Sequence, residues 1–396
     1  MGPSHVQRIL AQLPPGRLMS VDLLRGLAIA AMVLVNNPGS WSYVYAPLAH
    51  AQWHGWTPTD VIFPLFLFVV GLSIVLARGK NGAFPSVGWV QWSRALKLYG
   101  LGLFLAVFFY NFRDTSYSWF SDRIEGVRWM GVLQRIALVY IAVCYLVRWL
   151  PLRGLVVTSL FCSLVPWLLM LWVPYQAESG EVFLGQLEFG NHFSAWLDQT
   201  LLGSAHLYYG DARPFAFDPE GILTTFPAIS TCLLGVLAGA MWQNSASDLP
   251  AREKLALRWL RAGGSMLLIG QLMHPLVPIN KALWSPSFVL VTAGVSLMLL
   301  AGLYYLVDIR ERRRAVAPLL VFGVNAIALF MLAGVVGRLL IMVPVADTTL
   351  KGWLFGRIFQ PLFGDYAGSL AFAICCLGLF YWVMWQLYRR RIFWKV

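Results

Sequence analysis

The sequence predicts an all-α polytopic membrane protein of about ten transmembrane helices with both termini cytoplasmic, and three observations predict it. Hydrophobic residues make up 59% of the chain against 12% charged, with a mean hydropathy of +0.66. Apolar runs of about 20 residues, the length that crosses about 30 Å of hydrocarbon, follow one another along the chain. Lysine and arginine then alternate by loop, dense in one set and sparse in the other, as they do when the dense loops are cytoplasmic. A soluble chain of 396 residues would divide into two or three domains. Here the runs leave room for one membrane domain, 1–396, and no soluble catalytic domain.

The first predicted helix, 18–36, opens on Asp22 and Arg25, which share a helix face and can pair, and it ends on Asn36-Asn37. The second, 60–77, begins with Thr57-Pro58-Thr59-Asp60, an N-cap, a proline at N1 and an acid at N3. The third, 94–111, starts on Arg94 and Lys97. The fourth, 129–147, carries Gln134 and Arg135 about 8–10 Å from its outer end. The fifth, 154–173, runs into a long acidic outer loop, 174–220. Asp218-Pro219-Glu220-Gly221 then opens the sixth, 221–241. The seventh and eighth, 263–278 and 286–306, flank an outer link holding Asn280, Lys281 and Trp284. The ninth, 317–337, has Asn325 in its interior, and the tenth, 369–388, ends in a basic tail.

A formal charge of +12 can signal nucleic-acid binding, but the placement of the basic residues excludes it. Twenty of the thirty fall in the inner set: Arg8, Arg17, Arg78, Lys80, Arg94, Lys97, Arg148, Arg153, the 252–261 group, the 310–314 group and the C-terminal tail. Segment 1–17 is expected to be cytoplasmic and not a cleavable signal, because polar residues precede an apolar run that itself contains charges. All five cysteines lie in apolar helices without metal or CxxC spacing, so neither a metal site nor a disulfide framework is expected.

Polarity concentrates where lipid does not ask for it. Asp22, Arg25, Asn36, His50, His54 and Asp60 fall within one stretch of two spans and their loop, and intramembrane polar groups default to function. The loop 37–59 has two histidines and several aromatics but no charge before Asp60. The loop 174–220 carries seven acids against Arg213 alone, together with aromatic faces that suit a sugar. A solvated outer loop explains the same acids.

Five blocks in order, RLMSVDLLRGLAIAAMVLVNN, LAHAQWHGWTPTDVIFPLFLFVVG, IEGVRWMGVLQRIALVY, DPEGILTTFPAISTCLLGVLAG and INKALWSPSFVL, resemble the transmembrane N-acetyltransferases of the heparan-α-glucosaminide N-acetyltransferase type. The bacterial NagX-type members look closest. The resemblance implies a multi-pass enzyme of the bacterial inner membrane. It would take acetyl from cytosolic acetyl-CoA and deliver it to the amine of a glucosamine-containing sugar on the periplasmic side. It assigns the catalytic histidine to His50, in the order His50 to Trp53, and matches Asn36, Asp60 and Arg25 to family positions. Unlike the lysosomal members, the chain is expected to lack the long luminal extension with its extra helix. It has no periplasmic cysteines, so disulfide-linked assembly does not carry over and a homodimer stays open.

The residues suit that chemistry. Acetyl transfer to an amine needs a base, and an imidazole titrates near the operating pH. Asn36 can donate to a tetrahedral oxyanion, and Asp60 can hold the imidazole. Asp60 is equally a capping-box acid, and both histidines suit an interfacial aromatic belt. Coenzyme A carries phosphates, so Arg25, Arg94 and Lys97 are its candidate contacts, although snorkelling anchors explain the last two. Arg135, Glu220, Asn280, Lys281 and Trp284 are candidate acceptor contacts, with structural pairing the other reading for Arg135, whose partner is expected to be Asp60 or Glu220. A secondary transporter of a sugar or other solute is the competing class, against which stands the absence of a visible inverted repeat.

The charge alternation predicts sidedness. Cysteine introduced at Ser42, in a chain cleared of its own cysteines, reacts with an impermeant thiol reagent in intact cells, and cysteine at Ser86 does not. The opposite labelling pattern would reverse the orientation.

Overall fold

A computed structural model describes residues 5–10, 18–77, 87–245, 248–314 and 316–394. Ser86 and, of the inner basic residues, Arg17, Arg78, Lys80 and Lys395 lie outside the described residues, as does the side chain of Arg8. A short helix α1 (His5–Leu10) precedes α2 (Met19–Asn36), α3 (Pro58–Leu76), α4 (Trp89–Val107), α5 (Val132–Trp149) and α6 (Leu152–Trp172). The outer loop contributes α7 (Phe193–Leu202), and α8 (Ile222–Gln243), α9 (Leu249–Met273) and α10 (Pro286–Leu303) return to the bundle. The chain closes with α11 (Ala317–Val324), α12 (Ala326–Met342), the short α13 (Leu350–Leu354) and α14 (Gln360–Phe363), and α15 (Asp365–Arg389).

Each predicted span coincides with a helix or a helix pair. Seven helices among the described residues are long and apolar enough to cross a membrane, and the pair α11 and α12 makes an eighth. The difference from ten is α4 and α9. They are long enough, at 19 and 25 residues, but Arg94 and Lys97 dilute one, and Arg252, Glu253, Lys254, Arg258 and Arg261 the other. The ninth predicted span is not continuous. It bends by 78° at Asn325, whose backbone leaves the helix at φ −118° and ψ 37°. The seventh begins at Leu249, well before the predicted 263, because its charged first half has no apolar period to announce it.

Several helix starts are capped from elsewhere in the fold. No side chain of its own caps α2; the Asp308 carboxylate accepts from the Met19 and Ser20 amides at 3.1 and 3.0 Å. Asp198 on α7 does the same for the Ile222 amide of α8 at 2.9 Å. Ser285 caps α10 in the local way.

Two of the packed groups in the bundle flank the site. One joins α2, α11, α12 and α15 around Leu23, Ile29, Val33, Leu320, Leu329 and Phe380. The other joins α3, α5, α8 and α10 around Leu67, Val139, Val143, Leu233 and Phe288. By contrast α6 turns Val157, Leu160, Phe161 and Leu164 outward, as a lipid-facing helix does. The loop 174–220 is folded. Two antiparallel hairpins, pairing Tyr175 with Phe183 and Leu187 with His192, lie with α7 over a small core of Tyr175, Phe193, Phe215 and Phe217. His192 accepts from the Ala195 amide at 3.0 Å to cap α7, and its burial pushes its pKa down to about 3.

The contact of α3 with α8 depends on two glycines. A Cβ at Gly71 would stand 1.8 Å from the Cys232 carbonyl oxygen, and one at Gly235 2.0 Å from that of Phe68, so each helix lies directly on the other's backbone. Gly71→Ala is therefore expected to force the helices apart and cost about 1–3 kcal/mol, the range for overpacking. A thermal-unfolding scan in detergent checks it; an unchanged midpoint would contradict the packing.

Candidate active site

The outer ends of α2 and α3 and the two loops above them meet at Asp60. This carboxylate is 1% exposed and its two oxygens are divided. Oδ2 accepts from the Thr57 amide at 3.0 Å, closing the capping box of α3, and from the Ala51 amide at 3.0 Å. Oδ1 takes His50 Nδ1 at 2.6 Å. The two sequence readings of Asp60, helix cap and imidazole partner, are therefore both realised in one side chain. With Nδ1–H committed to the carboxylate, the lone pair of His50 is on Nε2, and the ring is about half exposed at 48%.

The Lys281 amine comes from the opposite loop to 3.3 Å from Nε2, 3.1 Å from Nδ1 and 3.6 Å from Asp60 Oδ1. Burial lowers its pKa, partly offset by the charges of Asp60 and Glu220. The lysine is held there by a tightly tied turn. The Gly55 amide donates to the Ile279 carbonyl at 2.7 Å, Asn280 Nδ2 donates to the Trp53 carbonyl at 3.0 Å, and Asn280 Oδ1 accepts from the Leu283 amide at 2.9 Å. Trp53 in turn donates to the Leu187 carbonyl at 2.8 Å and stacks on His192. His54 lies behind, within 3.4 Å of Asn280, with burial lowering its pKa.

A single cavity of about 1050 Å³ runs down from this cluster. Asn36, His50, Glu220 and Lys281 line one end, and Arg25, Arg94 and Lys97 line the other; Met32, Phe66, Val69 and Phe330 form apolar wall between. Of the asparagine pair, Asn37 is buried and donates back to the Val33 carbonyl at 2.8 Å, which leaves Asn36 for the cavity. Arg25 pairs with Asp22 at 3.1 Å and donates to Ser73 at 2.9 Å. Arg94 stands over the Tyr140 ring at 5.1 Å.

Not all the candidate acceptor contacts reach the cavity. Glu220 and Lys281 do, whereas Arg135, Asn280 and Trp284 are 0–1% exposed and stand behind its wall. The partners of Arg135 are the Gly221 carbonyl at 3.1 Å, the Thr224 hydroxyl and the face of Trp284 at 5.0 Å; Asp60 and Glu220 do not bond to it. Trp284 donates to Thr231 at 3.1 Å from a left-handed backbone, φ 48°. These three carry the turn that presents Lys281.

Arg128 is the residue that sequence reasoning passed over. Its guanidinium takes Asp218 through two bonds of 2.6 Å, reaches Glu220 with a third, and lies over the Tyr208 ring at 4.8 Å, at the outer end of the cavity. Burial acts to raise the Glu220 carboxyl, but Arg128, Arg135 and Lys281 outweigh it and hold the group below the ordinary range. Asp218 is pushed up by burial. A signal existed: an arginine just ahead of a span and a pair of acids just ahead of another, both at outer ends. Three of the seven acids of the loop, Asp198, Asp218 and Glu220, are thus interior, so the solvated-face reading covers only the other four.

A family model described as "Heparan-alpha-glucosaminide N-acetyltransferase, catalytic" matches residues 17–276. Among curated proteins, the chain is 28% identical to the human (Homo sapiens) heparan-alpha-glucosaminide N-acetyltransferase over 98% of its own length and 61% of that protein. It is 27% identical to the mouse (Mus musculus) protein of the same name, over 96% and 60%. The chain spans about three fifths of the length of these relatives.

Asp198, packed behind Glu220 under the start of α8, has its pKa pushed up to about 7 by burial, and its Oδ2 has no partner among the described residues. A carboxyl that keeps its proton longer folded than unfolded loses stability as pH rises from its unfolded value, about 3.9, to its folded one, and the loss then levels off. The expected result is a melting temperature that falls between about pH 4 and pH 7. In Asp198→Asn that part of the slope disappears. An unaltered slope would assign the pH dependence elsewhere.

Proposed function

Because the chain belongs to the heparan-alpha-glucosaminide N-acetyltransferase catalytic family, we propose that it is a transmembrane acetyltransferase of the bacterial inner membrane. It moves acetyl from cytosolic acetyl-CoA to the amine of a glucosamine-containing sugar on the periplasmic side. The observation that carries this reading is the continuous cavity, basic at the Arg25, Arg94 and Lys97 end and lined at the other by His50, Asn36 and Lys281. A phosphate-bearing donor too charged to cross lipid can leave its phosphates at the inner end and extend a pantetheine arm between the apolar walls. Only the acetyl carbonyl has to reach His50, and the walls keep water from the thioester.

The chemistry follows from the atoms at the outer end. A neutral amine attacks the thioester carbonyl, the C–N bond forms, and His50 Nε2 takes the proton. Asp60 keeps the ring in place through Nδ1–H and stabilises the imidazolium. Asn36 donates an amide N–H to the oxyanion. When the C–S bond breaks, the imidazolium returns its proton to the leaving thiolate. Glu220 and the Tyr208 and Tyr209 rings face the acceptor's place, which favours a neutral or cationic amino sugar over a sulfated polyanion.

Sealed, oriented proteoliposomes test the reading. Acetyl-CoA outside, on the face equivalent to the cytoplasm, is expected to acetylate glucosamine disaccharide enclosed on the other side. His50→Ala is expected to lower the rate by about 10²–10⁴ while acetyl-CoA binding persists. Product formed only when both substrates share a compartment would refute transfer across the membrane, and sugar uptake without product would make the protein a transporter.

A further inference from the structure

Asn325, at the break between α11 and α12, is 1% exposed, and its side chain reaches the far end of the chain. Nδ2 donates to the Ile392 carbonyl at 3.0 Å and Oδ1 accepts from the Trp394 amide at 2.9 Å. A buried amide with both ends paired to one segment holds that segment in a single position. The segment has turned to get there. After α15 the backbone takes a left-handed step at Arg391, φ 56°, and the Arg391 and Ile392 amides close back onto the carbonyls of Tyr388 and Leu387 at 3.0 and 2.9 Å. The chain thus folds inward from the end of α15 to meet the helix break. The break exists where the helix interior has to offer an amide to something other than itself.

This return places Phe393 and Trp394 on the wall of the cavity described above, the cavity that also holds Arg25, Arg94 and Lys97. Both rings are fixed at the backbone yet uncovered, at 36% and 46% exposure, and Phe393 is steadied by the edge of Tyr388 at 6.1 Å. Open aromatic faces in a cavity that also holds basic side chains are what a nucleotide requires. The base stacks on the rings in a way every purine or pyrimidine can use, and the phosphates meet the cations. The donor proposed above has one such group, an adenine at the end opposite its acetyl. These residues lie beyond the 17–276 stretch that the family model matches.

Resting on the acetyl-CoA reading, we infer that Phe393 and Trp394, pinned by Asn325, form the platform on which the adenine of the donor stacks at the inner mouth of the cavity. The C-terminal tail is then part of the donor site, and the helix break at Asn325 is what assembles it.

Calorimetric titration of the full-length protein in detergent with CoA and with 4′-phosphopantetheine, which lacks the adenine, tests this. Trp394→Ala is expected to weaken CoA binding about tenfold, the size of one base-aromatic stack, and to leave 4′-phosphopantetheine unchanged. Trp394→Phe keeps most of the affinity, because an aromatic face remains. Asn325→Ala weakens CoA selectively by releasing the tail, a loss that a general folding defect would spread over both ligands. Equal CoA affinity in wild type and Trp394→Ala, or an equal loss for the two ligands, overturns the platform while leaving the donor reading intact. Wild-type protein that binds no CoA overturns the donor reading, and the platform with it.

Discussion

The buried carboxylate of Asp60 is the constraint on which the outer half of the molecule depends. One oxygen ties the loop 49–57 to the first turn of α3 through two backbone amides; the other fixes the tautomer of His50 and faces Lys281. A charge this deep is tolerable because both of its oxygens have donors, and a carboxylate left without them here would bear its desolvation penalty uncompensated. The ionised state of Asp60 therefore sets the helix start, the loop path and the proton position on His50 together. None of the three can change alone.

The cavity follows from how the two helix groups are joined. Within the second group α3 and α8 touch backbone to backbone at Gly71 and Gly235, which leaves no space there. The cavity is the space that α2, α3, α4, α5 and α12 leave among them where they line it, although α2 and α3 pack together at Leu24, Ala28, Phe68 and Leu72, and α4, α5 and α12 at Leu98, Leu133 and Met331. An apolar gap of that length is unfavourable in an isolated bundle, where packing would close it. It persists because the helices that line it are held elsewhere, α2 against α3 and α10 through Leu24, Ala28, Phe68, Leu72 and Leu297.

Much of this was legible in the sequence, and what was not has a common cause. Apolar run length located the spans, and the density of polar residues between Ser20 and Gly71 pointed at the region where Asp60 and His50 meet. Hydropathy reports separation from water, so it could not announce the charged first half of α9 or tell an intact span from the one that bends at Asn325. Nor could it show what depends on distant pairing. Arg128 meets Asp218 and Glu220 about 90 positions away, and Lys281 meets His50 across more than half the chain. Asn280, Trp284 and Arg135 were legible as polar or bulky groups at an outer end, but only the fold places them behind the cavity wall, where they carry the turn that holds Lys281.

That turn also decides which part of the imidazole is free. Standing 3.1 and 3.3 Å from the two ring nitrogens, the Lys281 amine lies against the face of the ring and off the in-plane line of the Nε2 lone pair. Asp60 pins one edge of the ring and Lys281 backs its face, so the imidazole is held like a blade in a vice, with the Nε2 edge covered by neither.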